Sequence, residues 1–181
     1  SQRPGPATGL PTRTEQGDLN FILHAGHGEF PRVIFAPGSI DETIALARKS
    51  FEMADRYQTP VFLLTDQYFA DSVQIVEDDI PTEMSRREYR VFDPPYQRYK
   101  LTGDGISPLT YPGLSEALIK VDSDEHDEEG KITEDLGMRI EMVNKRLKKF
   151  ELLRNEAVPP TYYGKRDAAT VILCWGSNKL I

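Results

Sequence analysis

Residues 32–67 read RVIFAPGSIDETIALARKSFEMADRYQTPVFLLTDQ, and the alternation of apolar runs with polar breaks in this stretch decides the fold. Val33-Ile34-Phe35 is a short apolar run that stops at Pro37-Gly38, and Ser39-Ile40-Asp41-Glu42 is a capping sequence. Over 40–57 apolar residues recur with helical spacing at Ile44, Ala47, Phe51 and Ala54. Pro60 then precedes Val61-Phe62-Leu63-Leu64, a continuous run expected of a strand buried on both faces. Helical spacing over 13–25 places a further helix upstream. Helix, strand, helix, strand predicts a parallel α/β unit. Ligands of such sheets sit outside the carboxyl ends of the strands, so 36–39 and 65–67 are expected on one rim with the opening loop.

That loop, residues 2–15, reads QRPGPATGLPTRTE. Gly/Pro turns carrying hydroxyls and two arginines, Arg3 and Arg13, are suited to an anion. Arg3 presents a rigid planar fork that matches a carboxylate. Thr12 offers a hydroxyl, either to the same anion or as the N-cap of a helix beginning at Arg13. The competing reading is a Pro/Gly-rich surface loop with a solvated arginine.

Residues 2–12 resemble the QRxGPSTGxPT signature of the alpha subunit of 2-oxoacid:ferredoxin oxidoreductases, with Ala7 where that family usually carries Ser. The resemblance continues, in the same order, through Ala25-Gly26-His27-Gly28-Glu29-Phe30-Pro31-Arg32, Ala36-Pro37-Gly38, Leu64-Thr65-Asp66-Gln67-Tyr68 and Asp124-Glu125-His126-Asp127-Glu128-Glu129-Gly130. It implies CoA-dependent oxidative decarboxylation of a 2-oxoacid with ferredoxin as electron acceptor. Arg3, Thr8 and Thr12 would bind the substrate carboxylate, and His27, Glu29 and Asp66 would shape the active-site rim. No catalytic residue and no metal ligand is assigned to this chain. The resemblance further implies thiamine pyrophosphate and Mg2+ bound mainly by the beta subunit, an iron-sulfur cluster in partner chains, and coenzyme A and ferredoxin reached through the complex. The family's upstream Tyr-Pro-Ile-Thr-Pro motif and its cofactor-engaging Glu are not in this sequence. The expected organisation is therefore a fragment. Residues 1–75 are the second half of a thiamine pyrophosphate pyrimidine-type domain, 76–165 an extended arm and an amphipathic helix, and 166–181 the first strand of a second α/β, transketolase C-terminal-like domain. The alternatives are another thiamine-type enzyme subunit and a non-catalytic interaction module.

Composition narrows the setting. A net charge of -7 and the lack of a basic patch interleaved with aromatics argue against nucleic acid. Cys174 is the only cysteine, which excludes a disulfide framework and a self-contained cluster within this sequence. No run approaches the roughly 18 apolar residues of a membrane span, and cytoplasm is the expected location.

Downstream of Ser72 the periodicity fades. Over 72–113 prolines alternate with charges, and Tyr89, Phe92, Tyr96, Tyr99 and Tyr111 are expected to staple an extended arm onto another surface. The acidic segment 122–130 reads as a solvated turn, lacking the glycine and terminal Glu of a calcium loop. Residues 134–155 predict an amphipathic helix through Met138, Ile140, Met142, Val143, Leu147 and Phe150. Thr170-Val171-Ile172-Leu173-Cys174 reads as a strand leading into the turn Trp175-Gly176-Ser177-Asn178. The His24/His27 pair is no metal site by pattern, because Gly28 and Pro31 break any helix that would align both imidazoles.

Overall fold

A computed structural model describes residues 1–5, 9–76 and 90–180; Thr8, Tyr89 and the stretch 77–88 of the expected arm lie outside the described residues. Its elements are α1 (Leu19–His24), β1 (Val33–Phe35), α2 (Ile40–Tyr57), β2 (Val61–Leu63), α3 (Gln67–Ala70), α4 (Leu136–Asn155) and a closing 3-10 turn (Gly176–Leu180).

The βαβ unit forms as its sequence dictates. β1 and β2 pair in parallel, with Val33 opposite Val61, Ile34 opposite Phe62 and Phe35 opposite Leu63. α2 starts where Ser39 Oγ accepts from Glu42 N at 3.2 Å, and Glu42 Oε2 reaches back to accept from Gly38 N at 2.7 Å. Phe35, Met53, Tyr57 and Leu153 form the buried core, with Leu46, Val61 and Ile106 packed against it. The buried face of α2 therefore runs through Leu46, Met53 and Tyr57, and the expected Phe51 is exposed. The strand gives phase to the helix here: Phe35 is the anchor, and α2 turns the residues that reach it inward.

Upstream, the expected helix over 13–25 shortens to α1. Residues 13–18 are irregular because their side chains are engaged elsewhere: Thr14 Oγ1 accepts from Tyr68 N at 3.3 Å, and Gln16 Nε2 donates to Trp175 O at 3.0 Å. Gly17 adds its own helix-breaking tendency.

The described part of the arm, from residue 90 onward, packs on its own chain. Tyr96 Oη donates to Pro108 O at 2.9 Å and accepts from Thr110 N at 3.3 Å. Gln58, which ends α2 in the left-handed region (φ 49°, ψ 53°), donates through Nε2 to Ser107 O at 2.7 Å and accepts from Arg98 at 3.0 Å. Helix α4 then covers this junction, but not with the expected face. Met142, Lys145, Lys149 and Leu153 are buried, while Ile140, Leu147 and Phe150 are exposed. The two lysines bury because their stems are apolar and their ammonium groups donate to backbone carbonyls, Lys145 to Tyr99 O at 2.6 Å and Lys149 to Gln58 O at 3.0 Å. Nor is the acidic segment wholly solvated. Glu125 accepts from Arg146 at 3.0 and 2.9 Å and from Arg139 at 2.7 Å, and Glu128 accepts from Leu101 N at 2.8 Å.

The strand expected near the carboxyl end is not formed among the described residues. Residues 168–175 carry no strand, and Val171, Ile172 and Leu173 are exposed. A strand needs a neighbour to take its backbone hydrogen bonds, and among the described residues none lies beside this segment.

Gly105 fixes the approach of the arm to α4: its φ is 78°, and a Cβ there would meet Lys145 O at 2.4 Å. Gly113 has a similar φ of 84° with open space around it. Gly113→Ala is expected to cost only the left-handed strain, about 1–2 kcal/mol, and Gly105→Ala clearly more. Urea denaturation of the two variants checks this, and equal losses would contradict the close approach.

Candidate functional site

At the carboxyl ends of β1 and β2 the chain is tied together by backbone and amide groups. Gln2 lies beside Asp66 in a parallel bridge, its N–H donating to Thr65 O at 2.5 Å and its carbonyl accepting from Gln67 N at 2.9 Å. Its side-chain Oε1 accepts from Asp18 N at 3.0 Å, and the whole residue is 1% exposed. Gln2 is in effect a third, one-residue strand beside β2. Arg3, the next residue, is exposed.

Asp66 is also 1% exposed, and its carboxylate is fully engaged. Oδ1 caps α3 by accepting from Phe69 N at 2.9 Å. Oδ2 accepts from Gln16 Nε2 at 3.1 Å and from Ser177 Oγ at 2.5 Å. Burial by itself would raise this carboxyl, but the hydrogen bonds from Ser177, Phe69 and Gln16 outweigh it and hold it below the usual aspartate value. Gln16 continues the network: its Oε1 accepts from Asn178 Nδ2 at 2.8 Å. The 3-10 turn thus packs into the rim, where a Cβ on Gly38 would meet Gly176 O at 2.6 Å and Lys179 Nζ pairs with Glu42 at 2.5 Å. Glu42 is likewise held low: burial opposes its ionisation, and the Lys179 and Gly38 hydrogen bonds prevail.

Both ends of the opening loop consequently land on one short segment. Gln2 docks on 65–67, and Thr14 and Gln16 dock on Tyr68 and Asp66. Of the residues between these ends, 9–13 are described as exposed, with a turn in which Arg13 N donates to Leu10 O at 3.2 Å. Clamping the two ends removes much of the freedom that an exposed arginine loop would otherwise lose on gripping an anion.

The sequence-derived residues distribute as follows. Arg3 and Thr12 are exposed on this loop, and Thr8 lies outside the described residues. Thr12 does not cap a helix, since α1 begins at Leu19. Asp66 is at the rim, but buried as the tie beneath the loop. His27 and Glu29 are exposed in the segment that enters the amino end of β1, after Gly26 (φ 95°), which follows the C-cap Ala25 of α1. Among the described residues no hydrogen bond joins them to Asp66. Sequence reading missed Gln2, Gln16 and Ser177 as a network, because the Gln16–Trp175 contact spans 159 residues and no local spacing encodes it.

Removing the tie strands its donors in a buried place. Asp66→Ala is expected to cost about 1–3 kcal/mol in urea denaturation, the usual penalty for unsatisfied buried donors. Because the folded carboxyl titrates below its unfolded value of about 3.9, its contribution is present above that pH and is lost as pH falls through the folded value. Asp66→Asn is therefore expected to flatten the loss of stability below about pH 4; an unchanged pH dependence would contradict this.

Comparison with known proteins follows the same lines. Residues 1–145 match the family described as pyruvate flavodoxin/ferredoxin oxidoreductase, thiamine diphosphate-binding. The chain is 38% identical to the alpha subunit of 2-oxoacid:ferredoxin oxidoreductase 1 from Sulfurisphaera tokodaii over 97% of its own length, and spans 29% of that relative. It is 26% identical to a 2-oxoglutarate synthase subunit from Methanocaldococcus jannaschii, over 97% of this chain and 47% of the relative. Its structure superposes with a TM-score of 0.79 and 32% identity on the 2-oxoglutarate:ferredoxin oxidoreductase from Magnetococcus marinus with 2-oxoglutarate, coenzyme A and succinyl-CoA bound, covering 92% of this chain and 30% of that one. By the family match over residues 1–145 and the relatives at 38% identity, the chain belongs to the pyruvate flavodoxin/ferredoxin oxidoreductase thiamine diphosphate-binding family.

Proposed function

We propose that this chain is the part of a 2-oxoacid:ferredoxin oxidoreductase alpha subunit that grips the substrate carboxylate, in an enzyme that converts a 2-oxoacid and coenzyme A to acyl-CoA and carbon dioxide while reducing ferredoxin. The observation that carries this reading is the doubly anchored loop, with Arg3 directly after the buried Gln2. The names of the relatives in the family support the reaction class.

In this reading the Arg3 guanidinium binds the C1 carboxylate in a forked, charge-assisted pair worth about 1.5–3 kcal/mol. Thr8 and Thr12 add hydroxyl donors from the same loop. Because Gln2 is immobilised by backbone bonds on both sides, the start of the arginine side chain is fixed, and the carboxylate is oriented with little further loss of freedom. Loss of the carboxylate as carbon dioxide leaves Arg3 without its anion, which favours a rearrangement that admits coenzyme A. His27 and Glu29 belong to the entrance of β1 and contribute shape.

Membership of the thiamine diphosphate-binding family supports thiamine diphosphate as the cofactor of the assembled enzyme. Asp66, Gln16 and Ser177 at the rim are spent on one another, and among the described residues no group of three His, Cys, Asp or Glu converges as a metal cradle. We assign that cradle chiefly to the beta subunit, and the iron-sulfur cluster to partner chains. No described helix is long and apolar enough to cross a membrane.

In the assembled enzyme, Arg3→Ala is expected to lower kcat/KM for 2-oxoacids about a hundredfold, equivalent to about 2.7 kcal/mol of lost transition-state contact. Arg3→Lys should restore only part, since an ammonium cannot reproduce the fork. Steady-state kinetics check both, and an Arg3→Ala enzyme within about twofold of wild type would overturn the assignment.

A further inference from the structure

At the opposite, amino end of the two strands lies a cavity of about 220 Å³ whose lining, among the described residues, includes Arg98, Lys145, Arg146, Lys149 and His126 and no carboxylate. That concentration of positive charge occurs in a chain of net charge -7. The two lysines are 7% and 8% exposed. Each makes one hydrogen bond among the described residues, to the Tyr99 and Gln58 carbonyls, which leaves further N–H donors on each ammonium. Arg98 reaches the same place by donating to Gln58 Oε1. Arg146 is already paired with Glu125, so among the described residues the cations of this lining without an ion pair are Arg98, Lys145 and Lys149.

Buried cations whose hydrogen bonds go to neutral carbonyls are costly, and an anion between them would offset the cost. The cavity is smaller than the roughly 300–1,000 Å³ of sites for drug-sized ligands, which suits one compact group. We propose that this cavity is an oxyanion site for a phosphate-class group, seated between Lys145, Lys149 and Arg98. Its occupant would lock α4 and the arm onto the end of α2, since Lys149 and Arg98 both meet at Gln58. The electrostatics agree. Burial, followed by repulsion from neighbouring cations, lowers both lysines to about 8, with Glu128 opposing this at Lys145 and Asp104 at Lys149.

The test uses the assembled oxidoreductase and equilibrium dialysis with inorganic phosphate. Wild type should take up one ion per alpha subunit, saturably. Lys149→Met, which keeps the apolar stem, and Arg98→Gln, outside any helix, should each bind about tenfold more weakly or worse, while the exposed Lys165→Met should bind as wild type. With sulfate as probe, whose charge is constant over the range, affinity should fall as pH rises through about 8. A phosphomonoester that competes equally well would identify esterified phosphate as the source, and one that fails to compete would identify the free ion; both uphold the site. No saturable uptake by wild type, or uptake unchanged in both Lys149→Met and Arg98→Gln, would overturn it. Because the readout is ion binding, its failure leaves the Arg3 assignment untouched.

Discussion

The buried carboxylate of Asp66 is the constraint on which the carboxyl rim depends. It caps α3, receives Gln16 from 50 residues upstream and receives Ser177 from 111 residues downstream. Each of these segments is short or irregular and has little reason to hold its place alone. A one-turn helix such as α3 does not persist in water without a cap, and residues 13–18 form no element of their own. One charged acceptor with three donors fixes them together, and charge-assisted bonds of this kind are the stronger sort. Gln2 then adds the backbone pairing that brings the loop alongside.

The two ends of the βαβ unit have opposite characters. At the carboxyl end the buried groups are amides, hydroxyls and an ionised aspartate, all mutually satisfied, with the arginine left on the surface loop. At the amino end the buried groups are cations whose partners are carbonyls. Gln58 sits at the second of these and is the pivot of its side: a left-handed, non-glycine residue whose backbone and side chain accept from Lys149 and Arg98 and donate to Ser107. Energetically the contrast matters. A satisfied network rigidifies, whereas unneutralised buried charge leaves a site receptive to an ion.

The parts of the fold that sequence reveals are those with local causes. Ser39 and Glu42 cap α2, and the apolar runs at 33–35 and 61–63 form the parallel pair, because capping and strand content depend on neighbours a few residues away. The face of α4 was misassigned because lysine reads as a surface residue, and only the carbonyls of Tyr99 and Gln58 make Lys145 and Lys149 interior ones. The apolar run at 170–174 predicts a strand, yet pairing is a tertiary property and among the described residues no partner strand lies alongside. For the site, the loop motif marked Arg3 and Thr12, and the position of Asp66 after a strand marked the rim. What holds them there, Gln16 to Ser177, is encoded at a separation no pattern covers.

If the Asp66 network acts by holding the arginine loop in place, its effect on the reaction must pass through Arg3. The direct measurement is a double-mutant cycle in kcat/KM of the assembled enzyme, combining Arg3→Ala with Asp66→Asn. The expected result is strong non-additivity: Asp66→Asn lowers kcat/KM about tenfold or more beside Arg3, and less than about twofold once Arg3 is already alanine. Equal losses in the two backgrounds would show that Asp66 and Arg3 act independently and would contradict the account.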